Sequence, residues 1–329
     1  MTMFTDMTID DLKHGADAEL SAQLGLIRAS GADARSFLHA QLTQDILNLE
    51  GNDTKLAGYC SAKGRLFAVL QVYAVGEDVF LVTHRPLIEL LVKRLKMFVL
   101  RAKVAIEDVS DGHRIKGKAG EACLAHGVAE TSDHTQRLGL LPALINGESL
   151  ARELLIIRVD TRVESDRAVS TVGIARDLGV EGWQWLAIVA GEGHVEAATL
   201  EAFVPQMINL DRIGGVNFKK GCYPGQEVVA RSHYLGKLKR RMQWVQLHFD
   251  NAESAREAAT NMPAKTDVCS SLDASQPIGV VVSAAVSLLN HSTVDALVEV
   301  SLPMLDGGAL LSINGHEAAL QPLPYALSD

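Results

Sequence analysis

Hydrophobic residues recur at Phe37, Leu38, Leu42, Ile46 and Leu49, close to the 3.6-residue period of a helix. This spacing predicts a helix with one apolar face packed on a sheet. Ser30 and Asp33 stand where a helix start needs oxygen acceptors for free backbone N–H groups. An apolar strand, Leu24–Ala29, leads into it. Gln41 and Asp45, four residues apart, would share one face of that helix, turned either to a ligand cavity or to water. Farther on, Leu66–Tyr73 and Val79–Val82 flank a turn at Gly76-Glu77-Asp78, which predicts a β-hairpin. Pro86 suits the first turn of a second helix burying Leu87, Leu90, Leu91, Leu95 and Phe98. A strand is expected over Val99–Val109, then short strands and exposed loops over Gly112–Gly147. The histidines of that stretch, His113, His126 and His134, have the irregular spacing of surface residues. From Met242 the pattern turns to strands: Val245, Leu247 and Phe249 alternate with polar residues, and Ile278–Val282, Ala296–Leu302 and Leu310–Ile313 follow. Such spacing points to a small β-barrel or sandwich. Asn251–Gln276 carries little pattern and is expected as a surface loop. The sharpest boundary falls near Arg240–Met242.

Leu186–Leu200 imitates a dinucleotide-binding turn: an apolar run expected as a strand, Gly191-x-Gly193, then a helix-like Val195–Ala202. The third glycine position falls on Glu196. A carboxylate there blocks close helix–strand packing and repels a pyrophosphate, so this reading is rejected.

Composition narrows the classes. The 329 residues are 47% hydrophobic and 22% charged, ordinary for a globular protein of about two or three domains. A net charge of −9 argues against a general nucleic-acid binder. Between Lys219 and Arg241, however, seven basic residues meet one acid, Glu227, giving +6 and leaving −15 to the rest. A basic island on an acidic chain suits one anionic ligand, or is simply a solvated strand end. Cys60, Cys123, Cys222 and Cys269 are far apart, so no self-contained metal site or disulfide framework is visible, which fits a reducing compartment. The start of the chain, with Asp6, Asp10, Asp11 and Asp17, resembles neither a secretory signal nor a mitochondrial presequence. No apolar run reaches membrane-spanning length. A cytoplasmic protein is expected.

The densest chemistry lies in Lys219-Lys220-Gly221-Cys222-Tyr223-Pro224-Gly225-Gln226-Glu227 and the residues through Arg231. Positive charge beside a thiol favours the thiolate. Gly221 and Gly225 permit a tight bend and Pro224 stiffens it. The plainer alternative is a turn into a strand at Glu227–Arg231, with Cys222 as a small buried filler.

This run resembles the signature of the YgfZ/GcvT-related folate-binding family: Lys-Gly-Cys, two residues, then Gly-Gln-Glu. The resemblance extends upstream through Phe203–Asp211 and Gly214–Val216, and downstream through Tyr234–Lys237 and Lys239–Arg241. Phe37–Ile46 is similar to the family's early helix, and Gly58–Leu66 to its first hairpin. The resemblance implies an α+β fold. An aminomethyltransferase-like folate-binding core would span 1–240 in two α+β subdomains, the first discontinuous, with a C-terminal β-barrel over 241–329. It implies tetrahydrofolate, or a one-carbon derivative, as cofactor. It also implies support for iron–sulfur cluster assembly or repair, with effects on tRNA modification, so assembly or client proteins would be partners. Around Leu186–Gly193 the chain departs from the family's Arg-rich segment, which leaves the groups meeting a folate's glutamate tail unassigned there.

On that resemblance Cys222 is the functional thiol or transient ligand, with Lys219 and Lys220 activating it. Gln226 and Glu227 would match the donors and acceptors of a pterin edge, or Glu227 would pair with Arg231. Asn209 and Asp211 would add contacts, or cap a turn. Gln41, Asp45, Tyr223, Gly225 and Arg231 complete the expected ligand contacts, and Lys220, Cys222 and Glu227 the reactive set. The basic island would hold the glutamate tail. Two other readings stand beside this one. A folate-dependent one-carbon transferase would need a carboxylate from Asp45, Asp211 or Glu227 near the reacting nitrogen. An RNA-binding adaptor would use Tyr234, Trp244 and Lys237–Arg241, but the chain is only 5% aromatic, and no direct nucleic-acid contact is expected.

Overall fold

A computed structural model describes residues 7–159, 176–234, 238–270 and 273–327, so Asp6 and Lys237 lie outside it. It shows an α+β core and a β-barrel. The predicted hairpin forms: Leu66–Val75 and Asp78–His84 pair antiparallel within a five-stranded sheet. The order of that sheet is Thr54–Cys60, Leu66–Val75, Asp78–His84, Leu24–Ser30 and Ala105–Asp108. The helix Ile88–Phe98, entered through Pro86, buries Ile88, Leu91 and Leu95. A six-stranded sheet gathers distant segments in the order Arg176–Asp177, Ala16–Glu19, His113–Ala119, Arg152–Arg158, Thr135–Gly139 and Ala129–Thr131. From Arg240 the chain closes a six-stranded barrel with its own apolar interior, including Val245, Val268, Val281 and Val298.

Several segments differ from the sequence expectations. The first long helix stops at His39, spanning only Ala34–His39. The chain then turns so that Thr43 exchanges bonds with Gly58: its N–H donates to Gly58 O, and its hydroxyl accepts from Gly58 N–H at 2.7 Å. Leu42 and Ile46 are buried without being helical. Asp33 does not cap the helix; its carboxylate accepts the Lys103 N–H at 2.7 Å. The strand expected over Val99–Val109 is confined to Ala105–Asp108. The apolar run from Leu186 belongs to a helix, Gly179–Val189, and only a short 3₁₀ turn, Ala197–Thr199, follows. Asn251–Gln276 holds a helix, Ala252–Thr260, whose start is capped by the Asn251 side chain, and a barrel strand, Asp267–Ser270.

Gly179–Val189 is the keystone. Gly117 of the six-stranded sheet makes room for Trp183, whose ring lies 2.5 Å from where a Cβ would stand. On the other side, Trp185 Nε1–H donates to Asp295 of the barrel at 2.7 Å, and Trp244 Nε1–H donates to the other oxygen of the same carboxylate at 2.8 Å. Among the described residues no helix is long and apolar enough to cross a membrane.

Candidate functional site

The three units leave a cavity of about 150 Å³ where they meet. Gln71, Thr83 and His84 come from the five-stranded sheet, and Arg152 and Leu154 from the six-stranded sheet. Trp183 and Ala187 come from the keystone helix, and Ser283 from the barrel. The helix ends at Val189, and Gly191, with a positive φ of 66°, turns the chain so that Glu192, His194 and Glu196 follow the cavity wall. Tyr325 closes this turn from outside, donating its hydroxyl hydrogen to Gly191 O at 2.7 Å.

The cavity is apolar with a few convergent polar groups, the usual make-up of a small-molecule site. Arg152, 1% exposed, donates Nε–H and Nη2–H to Leu141 O and also bonds Glu192 Oε2 at 2.6 Å. Burial works against ionisation of Glu192, yet Arg152 and His194 more than offset it and hold the carboxyl below its ordinary range. Glu196 goes the other way: burial raises its pKa and His194 only partly opposes this. The rings of His84 and His194 lie 5.6 Å apart, and burial, reinforced by His194, pushes His84 down to about 4. At neutral pH His84 is therefore an uncharged donor–acceptor. Gln71 Nε2–H donates to Thr54 at 2.6 Å, and the buried Gln23 Oε1 has no partner among the described residues.

A second feature lies on the same sheet. Thr54–Cys60 runs from the cavity wall at Leu56 to the thiol loop at Cys60, four residues or about 13 Å of strand. There the hairpin tip and the signature loop touch backbone to backbone. Gly225, at φ +80°, has room for no Cβ, because one would stand 2.4 Å from Ser61 O and 2.5 Å from Gly64 Cα. Lys220 points inward: its ammonium donates to His39 O and, at 2.7 Å, to Leu42 O, and sits 4.9 Å from the Tyr223 ring. Burial lowers its pKa to about 8, against the pull of Asp45 and Cys222. Beneath it Tyr223 is buried, while Cys222 is exposed at the surface.

A mostly apolar cavity and an exposed thiol loop thus lie toward the two ends of one strand. No family model matches the chain. The tRNA-modifying protein YgfZ of Yersinia pseudotuberculosis serotype IB is 30% identical over 314 residues, covering 92% of this chain and 91% of that relative. The chain belongs to the YgfZ family. The YgfZ protein of Photorhabdus laumondii is 29% identical over 317 residues, covering 93% and 91%. Among solved structures, the glycine cleavage system aminomethyltransferase T from Bartonella henselae superposes with a TM-score of 0.65 at 13% identity, over 97% of this chain and 89% of that one. That likeness establishes the fold.

The residues singled out from the YgfZ-like motifs fall into two groups. Lys220, Cys222, Tyr223 and Gly225 form the thiol loop, with Asp45 beside it. Gln226–Tyr234 is a helix, not a strand, so Gln226 and Glu227 occupy its first turn, and Glu227 and Arg231 are exposed. Cys222 is not a buried filler. Asn209 and Asp211 are engaged elsewhere: Asp211 takes both Nη groups of the buried Arg241, at 2.9 and 2.8 Å, and Asn209 Oδ1 takes another bond from Nη1 at 3.1 Å. Gln41 is buried, with Oε1 unpartnered. None of these residues lines the cavity. The basic island is also less free than its charge suggested, since Arg240 pairs with Glu299, Arg241 with Asp211, and Lys220 with carbonyls. The cavity's own polar residues, Gln71, Arg152, Glu192, His194 and Glu196, went unrecognised in the sequence. Their one local signal is the alternation of two acids and a histidine in Gly191-Glu192-Gly193-His194-Val195-Glu196, directly after an apolar helix.

Proposed function

We propose that this YgfZ-family chain binds tetrahydrofolate, or a one-carbon derivative, in the three-way cavity and supports assembly or repair of iron–sulfur clusters in client enzymes, tRNA-modifying ones among them, with Cys222 as its functional thiol. The observation that carries the folate part is the cavity wall itself. A pterin edge presents adjacent N–H donors, and Glu196 and Glu192 place carboxylates in the mostly apolar chamber. Glu192 is already committed to Arg152, so Glu196 is the acceptor for that edge and Trp183 the apolar wall beside the ring. Gln23, with its orphaned buried oxygen, adds an acceptor. When bound, tetrahydrofolate would supply a carrier of one-carbon units. The relatives' name, tRNA-modifying protein, and the fold shared with an aminomethyltransferase support the same reading.

The test is made in a bacterium whose own copy has been deleted, with iron–sulfur-dependent modified nucleosides in its tRNA measured by mass spectrometry. Wild type is expected to restore them. Cys222→Ala and Glu196→Gln are each expected to fail while accumulating as folded protein. Full restoration by Cys222→Ala would remove the thiol from the proposal. Restoration by neither wild type nor variants would remove the role.

A further inference from the structure

The thiol loop is built against a histidine–carboxylate pair contributed by a different part of the chain. His39 ends the helix Ala34–His39, and its Nδ1 lies 3.1 Å from Asp45 Oδ1. Asp45 is itself held: its other oxygen accepts from Asn48 Nδ2–H at 2.7 Å, and its backbone N–H donates to Gln44 Oε1 at 2.9 Å. Asn48 comes first in keeping this carboxyl below its ordinary pKa, so it stays ionised at neutral pH. The ionised Asp45 oxygen 3.1 Å from Nδ1 favours hydrogen on that nitrogen, although no hydrogen bond is formed to it among the described residues, and so leaves the lone pair on Nε2. Nε2 lies beside the thiol loop: a Cβ built on Gly221, the residue before Cys222, would stand 3.6 Å from it. Lys220 fastens the loop to this place through the carbonyls of His39 and Leu42.

From this juxtaposition we infer that His39, oriented by Asp45, is the proton acceptor for the Cys222 thiol. The inference rests on the reading of Cys222 as the functional thiol and names the base that reading lacks. In the step, the Cys222 S–H proton passes to Nε2 as sulfur attacks an electrophile. The Nδ1–H stays turned toward Asp45, and the imidazolium later releases its proton to water. The charged groups around His39 are Lys220, which disfavours its protonation, and Asp45, which favours it. With burial acting first, His39 stays below its ordinary value and is an unprotonated base at neutral pH. The family resemblance implies a folate contact for Asp45 and assigns no role to His39. Residues separated by more than half of the chain's length come together only when the chain turns at Ala40 and the signature loop folds back over it.

The inference is tested on the purified full chain by the rate of Cys222 alkylation with iodoacetamide from pH 5 to 9, followed on the Cys222 peptide by mass spectrometry. Sulfur displaces iodide, a carbon–sulfur bond forms, and no other reagent is needed. Wild type is expected to show an inflection below pH 6.5 and, at pH 7, a rate about tenfold above that of His39→Gln, in which the inflection disappears. Asp45→Asn is expected to slow the reaction in the same direction with the loop intact, checked by an unchanged melting temperature. An inflection near pH 8 that vanishes in Lys220→Met belongs to the ammonium and leaves the assignment standing. Superimposable profiles for wild type and both His39→Gln and Asp45→Asn would overturn it. Because alkylation needs neither folate nor a client protein, its outcome is independent of the cellular test.

Discussion

Replacing Asp295 with alanine is expected to destabilise the protein by about 3 kcal/mol or more. Asp295 is fully buried and accepts the indole N–H groups of both Trp185 and Trp244. Without it, two buried donors from two different units lose their partner, each at a cost of about 1–3 kcal/mol. Burial raises the Asp295 pKa, and the two indole bonds, with Gln246 and His248, partly oppose it. Asp295→Asn keeps one acceptor and should fall between wild type and alanine. The urea midpoint measures the difference. A shift below about 1 kcal/mol for alanine would show that the keystone helix is held to the barrel by apolar packing alone.

Arg152→Met is expected to be of similar or larger effect, about 3–5 kcal/mol, and to act on the cavity directly. Glu192 would become a buried carboxylate with its main counter-charge gone, and Leu141 O would lose two donors. The double variant Arg152→Met with Glu192→Leu should recover much of the loss, because two buried charges are removed together. That non-additivity separates a paired-charge role from simple loss of packing against Trp183, whose ring lies 5.4 Å from the guanidinium. Additive single effects would contradict the pairing.

The parts of the fold that were legible in the sequence are those whose apolar runs are short and bounded by turn residues, or confined to one stripe. The Leu66–His84 hairpin is two apolar runs about the Gly76 turn, its first strand buried almost throughout, the Ile88–Phe98 helix carries one apolar stripe, and the barrel strands repeat between polar turns. The apolar run from Leu186 reads as a strand because the helix it ends, Gly179–Val189, is wedged between a sheet and a barrel. Trp183, Trp185, Leu186, Ile188 and Val189 are buried all around it, and the helical period disappears. The alternative of a strand at Glu227–Arg231 arises because Val228 and Val229 favour that state, whereas the chain after Pro224-Gly225 forms the helix Gln226–Tyr234. The candidate site divides the same way. The thiol loop is contiguous, so its chemistry could be read along the chain. The cavity takes one or two residues from each of several distant segments. Gln71 looks like an ordinary strand residue, Arg152 like an edge cation and Glu196 like a spoiled glycine position until the three units close on them.

The measurement that bears most directly on the cavity is a calorimetric titration with tetrahydrofolate of wild type, Glu196→Gln and Glu227→Ala. Wild type is expected to bind one equivalent, and Glu196→Gln to bind about tenfold more weakly, the loss of one charge-assisted bond. Glu227→Ala is expected to match wild type, since that side chain is exposed outside the cavity. Because burial raises the Glu196 pKa, wild-type affinity should fall on acidification with a midpoint above the ordinary 4.5, and this dependence should be absent in Glu196→Gln. No binding by wild type, or loss in Glu227→Ala with Glu196→Gln unaffected, would contradict the cavity as the folate site.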